Sequence, residues 1–99
     1  MSIDLKSMTP GEILLEDYMK PMGLTQNALA RALGVPPRRV NEIIHGKRAV
    51  SLDTSLRLGR YFGNHAQFWL DLQSQYDIAV VERERGPEIA RRVRKATAA

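Results

Sequence analysis

The feature of the chain that most restricts its fold is a set of fixed spacings around Gly34. Counted from Gln26 as position one, Gly34 is the ninth residue, and small or aliphatic residues stand at the fourth, fifth, eighth, tenth, fifteenth and eighteenth positions. These six residues are Leu29, Ala30, Leu33, Val35, Val40 and Ile43. Two short helices joined by a tight turn that contains glycine have this pattern, which predicts a helix-turn-helix.

The positions that define the pattern have geometric reasons. Two helices that cross closely need a small side chain such as Ala30 at the contact. The tight turn needs a left-handed backbone conformation, which Gly34 adopts at little cost. Pro36 and Pro37 do not interrupt the pattern, because a proline in the first turn of a helix gives up an amide that has no helical partner there. The prolines therefore predict the start of the second helix of the pair.

A further helix is predicted before this pair. Thr9 and Glu12 have the spacing of a capping box, and Pro10 suits the first helical position between them. We expect this helix to end before Pro21, because the residue that precedes a proline disfavours the helical region.

Two more helices are predicted after the pair. Ser51 caps the first of them, with Leu52, Leu56 and either Tyr61 or Phe62 on its core-facing side. Asn64 caps the last and longest helix, which should end at the Gly86-Pro87 pair. The chain shows no strand-like alternation, so the predicted fold class is all-α, with five helices joined by short turns.

Charge is distributed unevenly along the chain. The 99 residues carry a net charge of +4, but residues 25–48 hold five basic residues against one acidic residue, and residues 83–99 hold six against two. The remainder has four basic and eight acidic residues. The length fits one domain, which we divide into a helix-turn-helix domain over residues 1–84 and a basic carboxy-terminal tail over residues 85–99. The two basic segments favour a polyanionic partner.

The composition also bears on the class and location of the protein. The sequence contains no cysteine and no apolar run near the roughly 18 residues that cross a membrane. Its amino-terminal residues lack the apolar core of a signal peptide. We therefore expect a cytoplasmic protein without disulfides, thiolate metal sites or a membrane partner.

The second helix of the pair is expected to enter the major groove of DNA with its amino-terminal residues leading. Arginine matches the O6 and N7 acceptors of guanine, and asparagine pairs in a similar way with adenine. Phosphates would be bound at the start of the preceding helix and just beyond the second helix. The predicted DNA-binding residues are Gln26, Pro37, Arg38, Arg39, Asn41, Glu42, His45, Lys47 and Arg48. Whether Arg38 or Arg39 reads a base stays open at this stage.

Three segments carry a family resemblance: PGEIL near the amino terminus, GLTQNALARALGVPPRRVNEIIHGKR in the middle, and DTSLRLGRYFG followed by FWLDLQ. Through them the sequence resembles the HigA antitoxins, within the lambda-repressor-like or XRE group of DNA-binding proteins. The resemblance runs from residue 9 to about residue 81 and leaves out the basic tail.

This resemblance implies a five-helix, lambda-repressor-like domain that dimerises and binds a palindromic operator. It also implies a HigB-like toxin as partner, which is a small ribosome-dependent ribonuclease that cleaves mRNA. The antitoxin neutralises this toxin, and the complex of the two represses its own operon.

A homodimer is also expected on physical grounds, because one small domain contacts too little DNA for tight specificity. A two-fold dimer would read half-sites roughly 34–36 Å apart. The last helix carries apolar residues outside its core-facing stripe, and we predict that Trp69, Leu70 and Val81 form the dimer surface. A fully buried core helix is the alternative explanation of these residues.

Other classes of function fit the sequence less well. Glu42 and His45 lie three residues apart, and His65 is the only other histidine, so the three or four convergent ligands of a metal site are not predicted. No cofactor-binding glycine loop and no enzyme activity are expected. A module that only sequesters another protein would not need the basic residues of the second helix. The alternative to an antitoxin is a free-standing XRE-type regulator without a toxin partner, because such a partner would be encoded elsewhere.

Overall fold

The computed structural model describes residues 8–97, which contain five helices and no strand. Helix α1 consists of three consecutive segments, Pro10–Ile13, Leu14–Met19 and Lys20–Met22. The other four are α2 (Gln26–Leu33), α3 (Pro37–Ile44), α4 (Leu52–Phe62) and α5 (Ala66–Arg92). The prediction of an all-α fold with five helices is confirmed for this part of the chain.

The start of α1 is the predicted capping box. The Glu12 amide donates to the Thr9 hydroxyl oxygen at 3.1 Å, and the Thr9 amide donates to a Glu12 carboxylate oxygen at 3.5 Å. These bonds satisfy amides that have no partner within the helix.

The predicted end of α1 before Pro21 is wrong, since the helix continues to Met22. The preceding segment, Leu14–Met19, is a π-helix, and the Lys20 amide bonds to the Leu15 carbonyl five residues back. A π turn is wider than an α turn. The helix therefore continues through Pro21 after a π segment, and the proline needs no helical partner because it has no amide hydrogen.

Helices α2 and α3 form the predicted pair around Gly34. The Thr25 hydroxyl accepts the Ala28 amide at 3.1 Å at the start of α2, and Gly34 ends that helix with a φ of 72°. Pro36 caps α3, and Pro37 is its first residue. The six small and aliphatic residues at the fixed spacings are all 9% exposed or less. The helix pair and its core face are therefore confirmed.

The hydrophobic core lies where α1, α4 and α5 pack against this pair. Tyr18 of α1 contacts Phe62 and Trp69, with ring centroids 5.0 Å and 4.9 Å apart. Helices α1 and α3 approach so closely that a Cβ at Gly11 would collide with the carbonyl oxygen of Ile43. The core therefore holds the buried side of α3 in place and leaves the opposite side exposed to solvent.

The predicted core face of α4 is wrong at its two leucines, whereas Phe62 packs against the core as expected. Leu52 and Leu56 are 61% and 59% exposed, while Thr54 and Ser55 are buried. The Ser55 hydroxyl donates to the Ser51 carbonyl at 2.8 Å, and the Thr54 hydroxyl accepts from the Ser51 hydroxyl at 3.2 Å. Because both buried hydroxyls are hydrogen-bonded, small polar residues can take the core positions without an unpaired polar group.

Helix α5 begins at Ala66 with His65 as its cap, so Asn64 is not the cap that the sequence predicted. The Asn64 side chain instead accepts a hydrogen bond from the indole of Trp69 at 2.9 Å. Trp69 is wholly buried in the core of the monomer. Its predicted place on the dimer surface is therefore wrong, and the alternative, a core position, is the observed one. Leu70 is half-buried, and Val81 is 44% exposed.

The predicted break at Gly86-Pro87 is also wrong, because α5 continues to Arg92. Pro87 removes one helical hydrogen bond, to the carbonyl of residue 83. This part of α5 is largely exposed, so water can satisfy that carbonyl and the helix persists. The boundary between residues 84 and 85 is thus not marked by any change of secondary structure. Among the described residues, no helix has both the length and the apolar character to span a membrane.

Candidate nucleic-acid interface

Helix α3 has two faces of opposite character. Val40, Ile43 and Ile44 are buried on the core side. The opposite side is exposed and carries Pro37, Arg38, Asn41 and His45. The prolines at the start of α3 therefore begin a helix whose polar side faces outward.

Glu42 joins two of the predicted basic residues on this side. Its carboxylate accepts a hydrogen bond from Arg38 Nε at 3.1 Å, and bonds from Arg48 Nε and Nη2 at 2.9 Å and 2.8 Å. The bond from Arg48, and next the bond from Arg38, holds the pKa of the Glu42 carboxyl below its ordinary value. Glu42 is therefore ionised at neutral pH and keeps the two guanidinium groups beside each other.

A second contact joins the two helices of the pair. The Asn41 side-chain amide donates to the Gln26 side-chain oxygen at 3.0 Å. His45 Nδ1 lies 2.8 Å from the carbonyl oxygen of Asn41. The start of α2 is thus part of the same surface as the exposed side of α3.

Arg39 makes a different kind of contact, which the sequence did not reveal. Its Nη1 donates to Asp53 Oδ2 on α4 at 3.1 Å, and the same oxygen accepts from Arg57 Nε at 2.8 Å. The bond from Arg57 is the main cause that lowers the pKa of the Asp53 carboxyl. An acidic and a basic residue four apart, such as Asp53 and Arg57, are common on exposed helices. The spacing alone therefore gave no sign of a contact with α3.

Lys47 and Arg48 lie in the turn after α3, where Gly46 has a φ of 71°. The Lys47 amide donates to the Glu42 carbonyl at 2.8 Å, which fixes the turn to the end of the helix. Both side chains are exposed. All nine residues predicted to bind DNA are therefore on α3, at the start of α2 or in the turn after α3, and their contacts with DNA stay a prediction.

This surface has a chemistry suited to DNA. Guanidinium groups, a side-chain amide and an imidazole lie along one exposed side of a single helix. A helix fits the roughly 12 Å wide major groove, where arginine and asparagine can bond to base edges. Arginine also binds phosphate oxygens with its parallel N–H donors. Among residues 8–97, no three histidine or acidic side chains are grouped so that they could hold a metal ion.

Comparisons with known proteins agree with this geometry. The helix-turn-helix family model matches residues 15–69. Virulence-associated protein I of Dichelobacter nodosus is 50% identical over 83% of this chain and 76% of its own length. Antitoxin HigA-1 of Vibrio cholerae is 33% identical over 74% of this chain and 69% of its own length.

The chain is also similar to a solved structure of an antitoxin. The structure described as Pseudomonas aeruginosa antitoxin HigA with higBA promoter is 38% identical in sequence and superposes with a TM-score of 0.88. The match covers 92% of this chain and 99% of that one. The chain therefore belongs to the HigA antitoxin family of helix-turn-helix proteins.

Proposed function

We propose that this protein is the antitoxin of a type II toxin–antitoxin module. In this role a homodimer binds operator DNA sequence-specifically and represses its own operon. It also neutralises a HigB-like toxin, a ribosome-dependent ribonuclease that cleaves mRNA. The proposal includes a cytoplasmic location and no catalytic activity of the antitoxin itself.

The observation that carries the proposal is the exposed side of α3, where Arg38, Asn41 and His45 face away from the core. We propose that this helix enters the major groove, and that Gln26, Lys47 and the side chains around them contact the flanking phosphates. The relative from Pseudomonas aeruginosa, whose structure includes the higBA promoter, supports DNA as the ligand.

The proposed dimer surface combines α4 and α5. Leu52, Leu56 and Gly59 follow at intervals of four and three residues, so they share one side of α4. A Cβ at Gly59 would lie 2.8 Å from the Ala66 amide nitrogen, so this side of α4 borders α5. The exposed residues of α5 include Ile78, at 57%, and Val81. We propose that these exposed apolar residues, with half-buried Leu70 and without Trp69, contact a second copy of the chain.

The charges along α5 favour an antiparallel arrangement of the two copies. Residues 66–82 contain three acidic residues and no lysine or arginine, whereas residues 83–95 contain six basic and two acidic residues. Two antiparallel α5 helices would place the basic end of one beside the acidic part of the other. A parallel pairing would bring like charges together.

Selection from a random pool of DNA duplexes tests the DNA-binding role. We expect the wild-type protein to enrich a palindromic duplex whose half-sites lie roughly one helical turn apart. Recovery of random sequences with no preference would contradict the proposed function. Purification of the protein together with the product of the adjacent gene tests the toxin partner, and recovery of the antitoxin alone would favour a free-standing XRE-type regulator.

The dimer surface is tested with Ile78→Asp, because a charge in an apolar interface must be buried without a partner. Sedimentation should show a monomer that retains its helical circular-dichroism spectrum. Asp17→Asn, on the exposed side of α1, is the control and should stay dimeric. If Ile78→Asp is as dimeric as the wild type, the contact lies elsewhere.

We further propose that residues 1–84 bind DNA and hold the apolar dimer contacts, with residues 85–99 as a basic segment beyond them that adds charge to the antiparallel pairing. Deletion of residues 86–99 tests whether the tail contacts DNA. Each phosphate that the tail neutralises contributes about 0.9 to the slope of log affinity against log salt, and this contribution would be lost with the tail. A shallower slope would assign the tail to DNA. An unchanged slope with weaker self-association would assign it to the dimer.

A further inference from the structure

We propose that Asp53 is a positioning residue for DNA binding, which holds Arg39 against α4 and aims its guanidinium group at a DNA phosphate. This inference rests on the proposed function, because it assigns roles within the DNA-binding surface of α3. It concerns a residue of α4 that lies outside the helix pair itself.

The geometry is a bridge between three helices. Asp53 Oδ2 accepts hydrogen bonds from Arg39 Nη1 of α3 and from Arg57 Nε of α4. Arg57 Nη1 in turn donates to the carbonyls of Leu33 and Gly34, at 2.8 Å and 3.3 Å, at the end of α2. One carboxylate and one guanidinium therefore connect α4 to both helices of the pair at their turn.

The two arginines at the start of α3 differ in a way that separates their roles. The side chain of Arg38 is 84% exposed, and its partner Glu42 lies on the same helix. The side chain of Arg39 is 30% exposed, and its partner Asp53 lies on another helix. Arg38 can therefore reach outward to a base edge without breaking a contact between helices, whereas Arg39 is held at the border of α3 and α4.

A phosphate is the DNA group that suits a fixed arginine at this border. A guanidinium has five N–H donors, and the bond to Asp53 uses one of them. Contacts to phosphates set the register of a protein on the duplex, while base contacts read the sequence. Asp53 thus keeps the remaining donors of Arg39 in one orientation.

The negative charge of Asp53 also has an effect that opposes DNA binding, and this makes the proposal testable. A carboxylate near DNA repels phosphates and so weakens binding to any duplex. Apart from its bond to Arg57, which an asparagine oxygen at position 53 can keep, Asp53 can favour binding only through its effect on Arg39. Removal of its charge should therefore weaken binding when Arg39 is present and strengthen binding when Arg39 is absent.

The experiment measures affinity for the duplex that the wild-type protein selects from the random pool. Asp53→Asn keeps an oxygen that can accept from Arg57 but removes the charge. We expect it to weaken binding about fivefold, which corresponds to the loss of one exposed charge-assisted contact. In a protein that already carries Arg39→Ala, the same Asp53→Asn change should strengthen binding by about twofold.

Controls separate positioning from folding and from bulk charge. Asp17→Asn removes the same charge from the exposed side of α1 and should change affinity by less than about twofold. Asp53→Glu restores the charge on a longer side chain and should bind better than Asp53→Asn. Thermal unfolding of each variant shows whether the fold is retained at the temperature of the binding measurement.

The outcomes are distinct. Stronger binding by Asp53→Asn in the wild-type background, or equal weakening with and without Arg39, overturns the positioning role. If the wild-type protein selects no preferred duplex, the proposed function fails instead. If the wild-type protein is sequence-selective and Asp53→Asn binds the selected duplex equally well, the positioning role of Asp53 is overturned while the proposed function stands.

Discussion

The helix pair α2–α3 and the helix pair α4–α5 differ in what determines which of their residues are buried. In α2–α3, every residue expected in the core is buried. In α4–α5, Leu52 and Leu56 are exposed where a core was expected, and Trp69 is buried where a surface was expected. The first pair is therefore determined by its own sequence pattern, while the second depends on what packs against it.

The physical cause of the difference is the kind of contact at each site. The turn at Gly34 needs a left-handed residue, which is a local demand visible in the sequence. The core positions of α4 are set by its neighbours. Gly59 is buried because α5 approaches it too closely for a side chain. Ser55 can be buried because its hydroxyl donates to the Ser51 carbonyl. Exposed leucines on such a helix are typical of a surface that a partner covers.

The largest expected effect tests the core position of Trp69. Trp69→Ala should lower the free energy of unfolding by about 3–5 kcal/mol, because the change leaves a cavity and removes the donor to the Asn64 side-chain oxygen. Asp17→Ala, at an exposed position of α1, should have a much smaller effect in urea unfolding. Equal losses of unfolding free energy in the two variants would mean that Trp69 is not a core residue.

The next effect tests the close contact behind α3. Gly11→Ala should cost about 1–3 kcal/mol, because the new methyl group meets the backbone oxygen of Ile43, which cannot rotate away. Since α3 must shift to relieve the collision, DNA affinity should fall as well. Urea unfolding and DNA binding measured on the same variant check both parts. A variant as stable as the wild type would mean that α1 and α3 are not in contact.

A smaller effect of opposite sign tests the continuity of α5. A Cβ at Gly86 would meet no atom closer than Glu82 Cβ at 3.9 Å. Gly86→Ala should therefore raise stability by about 0.5–1 kcal/mol, because alanine favours a helix interior over glycine. Circular dichroism and thermal unfolding measure this change. Loss of helix content in the variant would support the break that the sequence predicted.

The smallest effect concerns the ion pairs of Glu42. Its folded-state pKa lies below the ordinary value of 4.5, so its pairs with Arg38 and Arg48 stabilise the fold above that value. This contribution is lost as the pH falls through the lowered pKa. The melting temperature of Glu42→Gln should therefore lie slightly below that of the wild type at pH 7 and converge with it in acid. A constant difference at all pH values would exclude the ion pairs as its cause.

Much of the fold follows from local signals in the sequence. The caps at Thr9, Thr25 and Ser51 are all observed. The two prolines before α3 start that helix as expected. These features depend on a few neighbouring residues, so the sequence contains the information needed.

The errors arise where a side chain finds a partner other than the usual one, where a turn departs from regular α geometry, or where two helices pack together. Asn64 has the composition of a cap, but its side chain bonds to the buried Trp69 indole. Pro21 follows a π turn that no local rule foresees. The contact of Asp53 with Arg39 requires α4 to lie beside α3, which only the folded chain shows. Candidate DNA-binding residues on α3 could be predicted, whereas the contact of Arg39 with Asp53 could not.

The central claim is that the exposed side of α3 reads DNA sequence, with Arg38 at a base. Its most direct test compares wild type and Arg38→Ala on the selected duplex and on all its single base-pair variants. We expect Arg38→Ala to lose about 1–3 kcal/mol on the selected duplex and to lose its preference at one base pair of each half-site. An equal loss on every duplex, with all base preferences retained, would contradict the claim and make Arg38 a phosphate contact.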